Sequence, residues 1–173
     1  DRGEKYGCNK PSCGPNCDCG RYIELWNLVF IQYNREANGK LTNLPKTHVD
    51  TGMGFERLVA VLQGKDSNYD TDLFTPLLST GADRTGLESG HEGGNDMSFR
   101  VLADHARAVT FLIADGVVPT NEGRGYVLRR IMRRAIRHGK KLGLHEPFLF
   151  ELSGRVIDAM THVFPEIVPQ ARL

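Results

Sequence analysis

After Cys19 the chain has no further cysteine; all four fall between Cys8 and Cys19. Cysteines spread along a chain would suggest a disulfide framework. Four in one short stretch, with no export signal, suggest a metal site or reduced thiols instead. Nor does any apolar run approach the ~20 residues of a membrane span. The polar start at Asp1 is no signal peptide, so we expect a cytoplasmic chain with no membrane partner. No methionine stands at position 1, and we expect a segment of a longer polypeptide. Internal repeats are absent. Charge of one sign is also absent: 22 Lys and Arg against 21 Asp and Glu leave a net charge of +1 over 173 residues, so total charge points to no partner. A composition of 40% hydrophobic and 25% charged residues is that of one globular domain or two small ones.

What is present is unevenly placed. Between Arg124 and Lys141 stand six arginines, two lysines and no acid. A basic block in an otherwise acidic chain suggests a specific anionic contact rather than general stickiness.

Residues 1–20, rich in Gly, Pro, Asn and Cys, should form an irregular loop. Tyr22 to Tyr33 is dense in aromatic and branched residues and reads as one strand. Asn27 and Val29 should share one of its faces, Glu24 and Trp26 the other. Asn38-Gly39 signals a turn, and a short strand follows near Thr47–Asp50. The spacing of Phe55, Leu58, Val59 and Leu62 predicts a helix ending near Gly64. A further helix is expected over Tyr69 to Leu78, capped by Asp70 or Thr71. Thr80 to Asn95, Gly-rich and acidic, reads as a boundary loop. Beyond it three helices are expected. The first carries Phe99, Leu102, Ala106, Val109 and Ile113. The second runs from Tyr126 to Lys141 after a turn at Asn121–Gly125, with Val127, Leu128, Ile131, Ala135 and Ile136 inward. The third is Leu149 to Val163. The expected organisation is α+β: a mixed segment over residues 1–80, a flexible linker over 81–95 and an all-helical region over 96–173.

The strongest chemical signal is Asp50-Thr51-Gly52-Met53-Gly54-Phe55-Glu56-Arg57. A strand runs into two glycines and then a helix with an arginine in its first turn. The glycines let backbone approach a ligand; the guanidinium is a planar fork suited to phosphate oxygens; Asp50 can meet an ammonium group. By itself the pattern also fits a glycine turn with a surface salt bridge. The basic helix, with Arg129, Arg130, Arg133, Arg134 and Arg137, likewise fits either an RNA contact or a solvated face whose long stems cover core neighbours. Asn121 suits a helix cap or turn. Cys8, Cys13, Cys17 and Cys19 allow either a structural zinc or free thiols. His48, His105, His138 and His162 have no evident metal spacing, and His105 reads as a core or hydrogen-bonded residue.

G-M-G-F-E-R resembles motif 3 of class II aminoacyl-tRNA synthetases. Residues 49–64 (VDTGMGFERLVAVLQG), the strand ELWNLVFIQYNR, the segment SNYDTDLF and the long block from Asp104 to Gly139 resemble the alanyl-tRNA synthetases in particular. The resemblance covers most of 21–150; residues 80–96 and the tail after 150 are its weak regions. It implies the C-terminal part of an antiparallel-sheet catalytic domain followed by helices that recognise tRNA. It implies ATP-dependent activation of alanine and transfer to the 3′ end of alanine tRNA, with Mg²⁺. On this reading Arg57 meets the γ-phosphate end of ATP beside Gly54, Asp50 binds the alanine ammonium, Gly52 lies by its methyl group and Asn27 is a further polar group of the pocket. Glu24 is a candidate Mg²⁺ ligand, equally a solvated strand residue. Asn121 falls where the family contacts a base near the G·U pair of the acceptor stem, and Arg124, Arg129, Arg130, Arg133, Arg134 and Arg137 would grip phosphates.

The chain shows neither motif 1, which builds the usual class II interface, nor motif 2, whose arginine grips the α-phosphate. Nothing matches the family's editing domain, which a small pocket needs because one methylene is worth only ~1–3 kcal/mol. The chain alone is therefore expected to be inactive, with the rest of the synthetase among its partners. Two rival readings compete: a non-catalytic tRNA-binding protein derived from a synthetase, which would lose motif 3, and a freestanding amino-acid-activating enzyme, which would lose the basic helix. Asp50, Gly52, Arg57 and the full helix weigh against both.

Overall fold

The computed structural model describes residues 1–88 and 94–168. It divides into two compact units, Asp1–Asn68 and Tyr69–Leu173. Among the described residues no helix is long and apolar enough to cross a membrane. The mixture is α+β, as expected.

The first unit holds an antiparallel hairpin, β1 (Trp26–Arg35) and β2 (Leu41–Met53), followed by α1 (Phe55–Leu62). The expected turn is present: Gly39 has φ 83° and its N–H donates to the Glu36 carbonyl at 2.8 Å. β1 begins four residues later than expected from Tyr22, because the preceding backbone is engaged elsewhere. The Arg21 carbonyl accepts from Arg2, and the Leu25 carbonyl accepts from Gly54. β2 is far longer than the expected Thr47–Asp50. Its pairing with β1 is interrupted between Ile31 and Tyr33, opposite the stretch containing Pro45, which has no N–H to give to a ladder. Apolar side chains stand exposed on both faces of β1, with Trp26 58% and Phe30 72% exposed on one face and Val29 and Ile31 on the other.

The second unit is helical: α2 (Thr75–Thr85), α3 (Asp96–Ala114), α4 (Gly123–Lys141) and α5 (Leu149–Met160). The helix expected over Tyr69–Leu78 is instead a single 3-10 turn at Asn68–Asp70 and then α2. Thr71, one of the two expected caps, is fully buried, and its carbonyl accepts from Phe74 and Thr75 at the start of the helix. Pro76 in the first turn of α2 is compatible with helix there, since its missing N–H would have had no partner. α2 also runs into the stretch expected to be a loop, ending at Gly86 with φ 66°. Its composition is polar, but Gly81 lets it approach the Phe99 ring so closely that a Cβ there would meet Cδ1 at 3.2 Å. Packing, not propensity, makes this segment helical. Of the expected linker, residues 89–93 lie outside the described residues.

The core of this unit gathers Phe74, Leu77, Phe99, Leu102, Ala106, Ala135, Phe148, Leu152 and Val156. A smaller cluster joins Val109, Val117 and Leu128. Two expected inner residues of α4 are not inside: Val127 and Ile136 are exposed. At about 100° per residue they flank a stripe made by Leu128, Met132, Ala135 and Gly139. Small residues narrow that stripe. A Cβ on Gly139 would overlap the buried Phe148 ring. Gly139→Ala should therefore cost about 1–2 kcal/mol net, since overlap this severe lies at the upper end of overpacking costs, ~2–3 kcal/mol, against the ~1 kcal/mol of helix propensity gained. Gly154→Ala in α5, where a Cβ meets nothing within 4 Å, should be neutral or stabilising. Urea unfolding followed by circular dichroism would show the contrast; equal midpoints for the two variants would contradict this packing.

Candidate functional site

The register of the hairpin assembles the first site. Asn27 pairs with Gly52 and Val29 with Asp50. Residues opposite one another in an antiparallel pair project to the same face, so Asn27, Val29, Asp50 and Gly52 line one surface. All four are exposed, and a Cβ on Gly52 would meet nothing within 4 Å. The Asp50 carboxylate makes no ion pair or hydrogen bond among the described residues. The surface thus offers a carboxylate, an amide and, at Gly52, open space between them.

Arg57 is seated at the edge of this unit by backbone. Its Nη1 donates to the Glu24 carbonyl at 3.0 Å. The Gly54 N–H donates to the Leu25 carbonyl at 3.0 Å, and Leu58 N–H returns to the Gly54 carbonyl at 2.9 Å. Gly54 lies against the arginine stem, where a Cβ would be 3.3 Å from Cδ. These acceptors are main-chain groups, which no residue motif could have revealed. Glu24 itself lies outside β1, exposed, just before it.

A second residue escapes sequence reasoning. Asp66, beyond α1, accepts from Tyr6 Oη at 2.8 Å and from the Arg2 guanidinium. The Tyr6 hydrogen bond, then the charges of Arg2 and Lys5, hold its carboxyl below the usual range. The N-terminal loop is therefore tied to α1 at its far end.

In that loop the four cysteine sulfurs lie within 4.8 Å of one another, all half-buried. The Cys8 and Cys17 sulfurs are 3.6 Å apart, those of Cys13 and Cys19 3.7 Å. The Arg21 N–H, donating to the Cys19 sulfur, is the main cause of that thiol's fall to about 7. At Cys17 the Cys19 N–H acts in the same sense. It is outweighed by the Cys8 and Cys19 thiols, burial and the Cys19 charge, which push Cys17 up to about 11.

The helical unit carries the basic face. Arg129, Arg130, Arg133, Arg134 and Arg137 are all exposed. At about 100° per residue they fall within an arc of about 140°, opposite the buried stripe of α4. Arg124, one turn earlier, falls outside that arc. Tyr126 stands inside it, half-exposed, with the Arg130 guanidinium 5.8 Å from its ring centre. α4 starts at Gly123 and absorbs part of the expected turn. Asn121, exposed just ahead, accepts through Oδ1 from the Arg129 guanidinium. His138 adds no charge to this face. Burial, then Lys141, Arg134, His105 and Arg137, hold its pKa below the usual value, and its Nδ1 lies 3.0 Å from Ser98 Oγ. His105 pairs with Asp104 through Nδ1 at 2.9 Å, in keeping with a hydrogen-bonded role.

The family model for class II (A) tRNA synthetases matches residues 1–172. The chain belongs to this family. Among curated relatives it is 54% identical over 171 residues to the alanine–tRNA ligase of Desulfosudis oleivorans, covering 99% of this chain and 20% of that protein. It is 50% identical over 167 residues to that of Desulfitobacterium hafniense, covering 96% of this chain and 19% of the relative. Identity to that of Pelotomaculum thermopropionicum is 49% over 170 residues, or 98% of this chain and 19% of the relative. The class II synthetase chain thus spans about a fifth of the length of the relatives it matches.

Proposed function

We propose that this chain supplies part of the alanine-activating site and the acceptor-stem contact of a cytoplasmic alanine–tRNA ligase. The observation that carries the reading is the shared face of Asn27, Asp50 and Gly52, next in sequence to an arginine fixed by backbone. Asp50 offers the negative charge an amino-acid ammonium needs. Gly52 leaves room for a methyl group. Arg57 keeps guanidinium donors beyond the one given to Glu24, and these would meet the terminal phosphate of ATP. Adenylate formation needs positioned phosphates and neutralised charge rather than a protein nucleophile. Mg²⁺ would supply part of that neutralisation. Glu24, an exposed carboxylate next to the Arg57 seat, suits an ion held by one or two carboxylates plus phosphate oxygens. The apolar residues on both faces of β1 are suited to cover by the rest of the ligase, as a strand buried on both sides requires.

The basic arc of α4 fits a phosphate-gripping surface, and Tyr126 within it offers a ring for stacking. Asn121, with its carbonyl steadied by Arg129, would read a base edge in the minor groove of A-form RNA, where base edges are accessible. The test is binding of this chain to an acceptor-stem microhelix with a G·U pair or with G·C in its place, over a salt series. We expect a preference for G·U of about 1–3 kcal/mol, lost in Asn121→Ala while the salt slope stays. Equal binding of both helices would remove Asn121 as a reader. Salt-independent binding would remove the arginines as the grip.

A further inference from the structure

We propose that Cys8, Cys13, Cys17 and Cys19 hold one zinc ion as a tetrathiolate site that knots the N-terminal loop of the first unit. Four properties carry this assignment. First, the four sulfurs are close enough together to ligate one small ion. Zn–S bonds of ~2.3 Å place tetrahedral sulfurs about 3.8 Å apart. The separations of 3.6 and 3.7 Å, with all four sulfurs within 4.8 Å of one another, match that spacing. Two disulfides would need sulfur pairs near 2.05 Å and would not require the pairs to meet.

Second, tight turns set two of the ligands. The Cys13 N–H donates to the Lys10 carbonyl and the Cys17 N–H to the Gly14 carbonyl, both at 2.9 Å. Backbone turns of this kind orient ligand side chains around a metal. Third, the chain is bent to bring the cysteines together. Asn9 has φ 57°, the single non-glycine residue with positive φ among those described, and Gly20 has φ 84°. Each follows a cysteine directly. Gly7 lies beside the cluster, where a Cβ would come 3.6 Å from Cys13 Sγ and 3.1 Å from the Glu4 carbonyl. Asparagine tolerates this left-handed backbone, and together Asn9 and Gly20 turn the chain next to Cys8 and Cys19.

Fourth, the loop has no apolar core of its own to hold this shape. Residues 1–25 contain one 3-10 turn, Glu4–Tyr6, and no buried side chain. Small elements with little core take their folding energy from metal binding. All four ligands come from the protein, so no position is open for a substrate, and the ion's role is structural. Its consequence reaches the first site through chain connectivity. Cys19 lies five residues before Glu24, whose carbonyl seats Arg57, and Arg2 and Tyr6 tie the same loop to Asp66.

The test needs no ligase activity. The 173-residue chain, purified with reductant and dialysed into metal-free buffer, should retain one zinc by elemental analysis. A variant with all four cysteines changed to serine should retain none, with helical circular dichroism preserved by the separate core of the second unit. Cobalt added to metal-free wild-type chain should give the intense d–d and thiolate charge-transfer bands of a tetrahedral four-sulfur site. The four thiols should react slowly with a disulfide reagent until a chelator is added. Zinc no higher in the wild type than in the variant, with four freely reactive thiols, would overturn the proposal. So would a mass lower by four hydrogens, which means two disulfides. Iron in place of zinc, seen as visible colour, would overturn the identity of the ion.

Discussion

Replacing Arg57 by alanine in the full-length ligase should reduce kcat/KM for ATP in alanine-dependent pyrophosphate exchange by about 10²–10³-fold, the usual result of removing one preorganised donor from a developing charge. This side chain has little freedom. Its Nη1 is held by the Glu24 carbonyl at 3.0 Å, and its stem lies against Gly54. A long exposed arginine ordinarily loses ~2 kcal/mol of rotamer entropy when it grips a ligand; on the proposed function part of that ordering would be done before ATP arrives, and the rest of the fork would meet phosphate oxygens. Arg57→Lys keeps the charge but not the planar pair of donors, so it should recover only part of the loss, with the deficit in the ATP terms and not in the KM for alanine. The competing role is a clamp between α1 and the chain ahead of β1. A pure clamp would show a lowered unfolding midpoint with near-normal exchange, and that result would remove Arg57 from the ATP site.

Which of these features the sequence makes legible depends on whether their signal is local. The helix from Phe55 to Leu62 follows from an apolar period, and the structure has a helix with those bounds. The turn at Asn38-Gly39 follows from residues that tolerate positive φ. The grouping of Asp50, Gly52 and Asn27 needs more: the chain order places Asp50 and Gly52 on one face of a strand, but only the hairpin register sets Asn27 opposite Gly52. The seat of Arg57 is illegible because its acceptors are carbonyls, which every residue possesses. Asp66 is illegible for another reason, since its partners Arg2 and Tyr6 are sixty or more residues away in the chain.

Two departures in the helical unit share one physical origin. Beyond Thr80 the residues of α2 are small and polar and so resemble a loop, yet Gly81 against Phe99 makes smallness the condition for close helix packing. Val127 and Ile136 look inward because they are apolar, yet Gly125, Ala135 and Gly139 on α4 are buried and set a narrower inner stripe. In both cases the decisive contacts are made by residues with little hydrophobic signal of their own. Sequence periodicity weighs residues by apolarity and so overlooks the small ones.

Asp50 should be as costly to neutralise as Arg57 is to remove. In Asp50→Asn the side chain keeps its size and loses its charge. If the carboxylate meets the ammonium of alanine in the closed site, the loss is about 2–5 kcal/mol, as for breaking one partner of a desolvated charge pair. That corresponds to roughly 30-fold to several-thousand-fold in kcat/KM for alanine at ~1.4 kcal/mol per tenfold. In the structure Asp50 is exposed and unpaired among the described residues, so the substitution breaks no internal bond and the unfolding midpoint should not move. This separates a binding role from a structural one more cleanly than at Arg57, where an internal hydrogen bond is also lost. The variant should raise KM for alanine far more than KM for ATP, since the charge acts on the amino acid. Asp50→Glu restores the charge but moves it one methylene further from β2, toward the space that Gly52 leaves open; it should recover charge-dependent binding only in part. Equal losses for alanine and ATP in Asp50→Asn would mean that the residue shapes the sheet surface and does not bind the ammonium. Unchanged kinetics would place the ammonium on another acid of the ligase and leave Asp50 as a solvated strand residue.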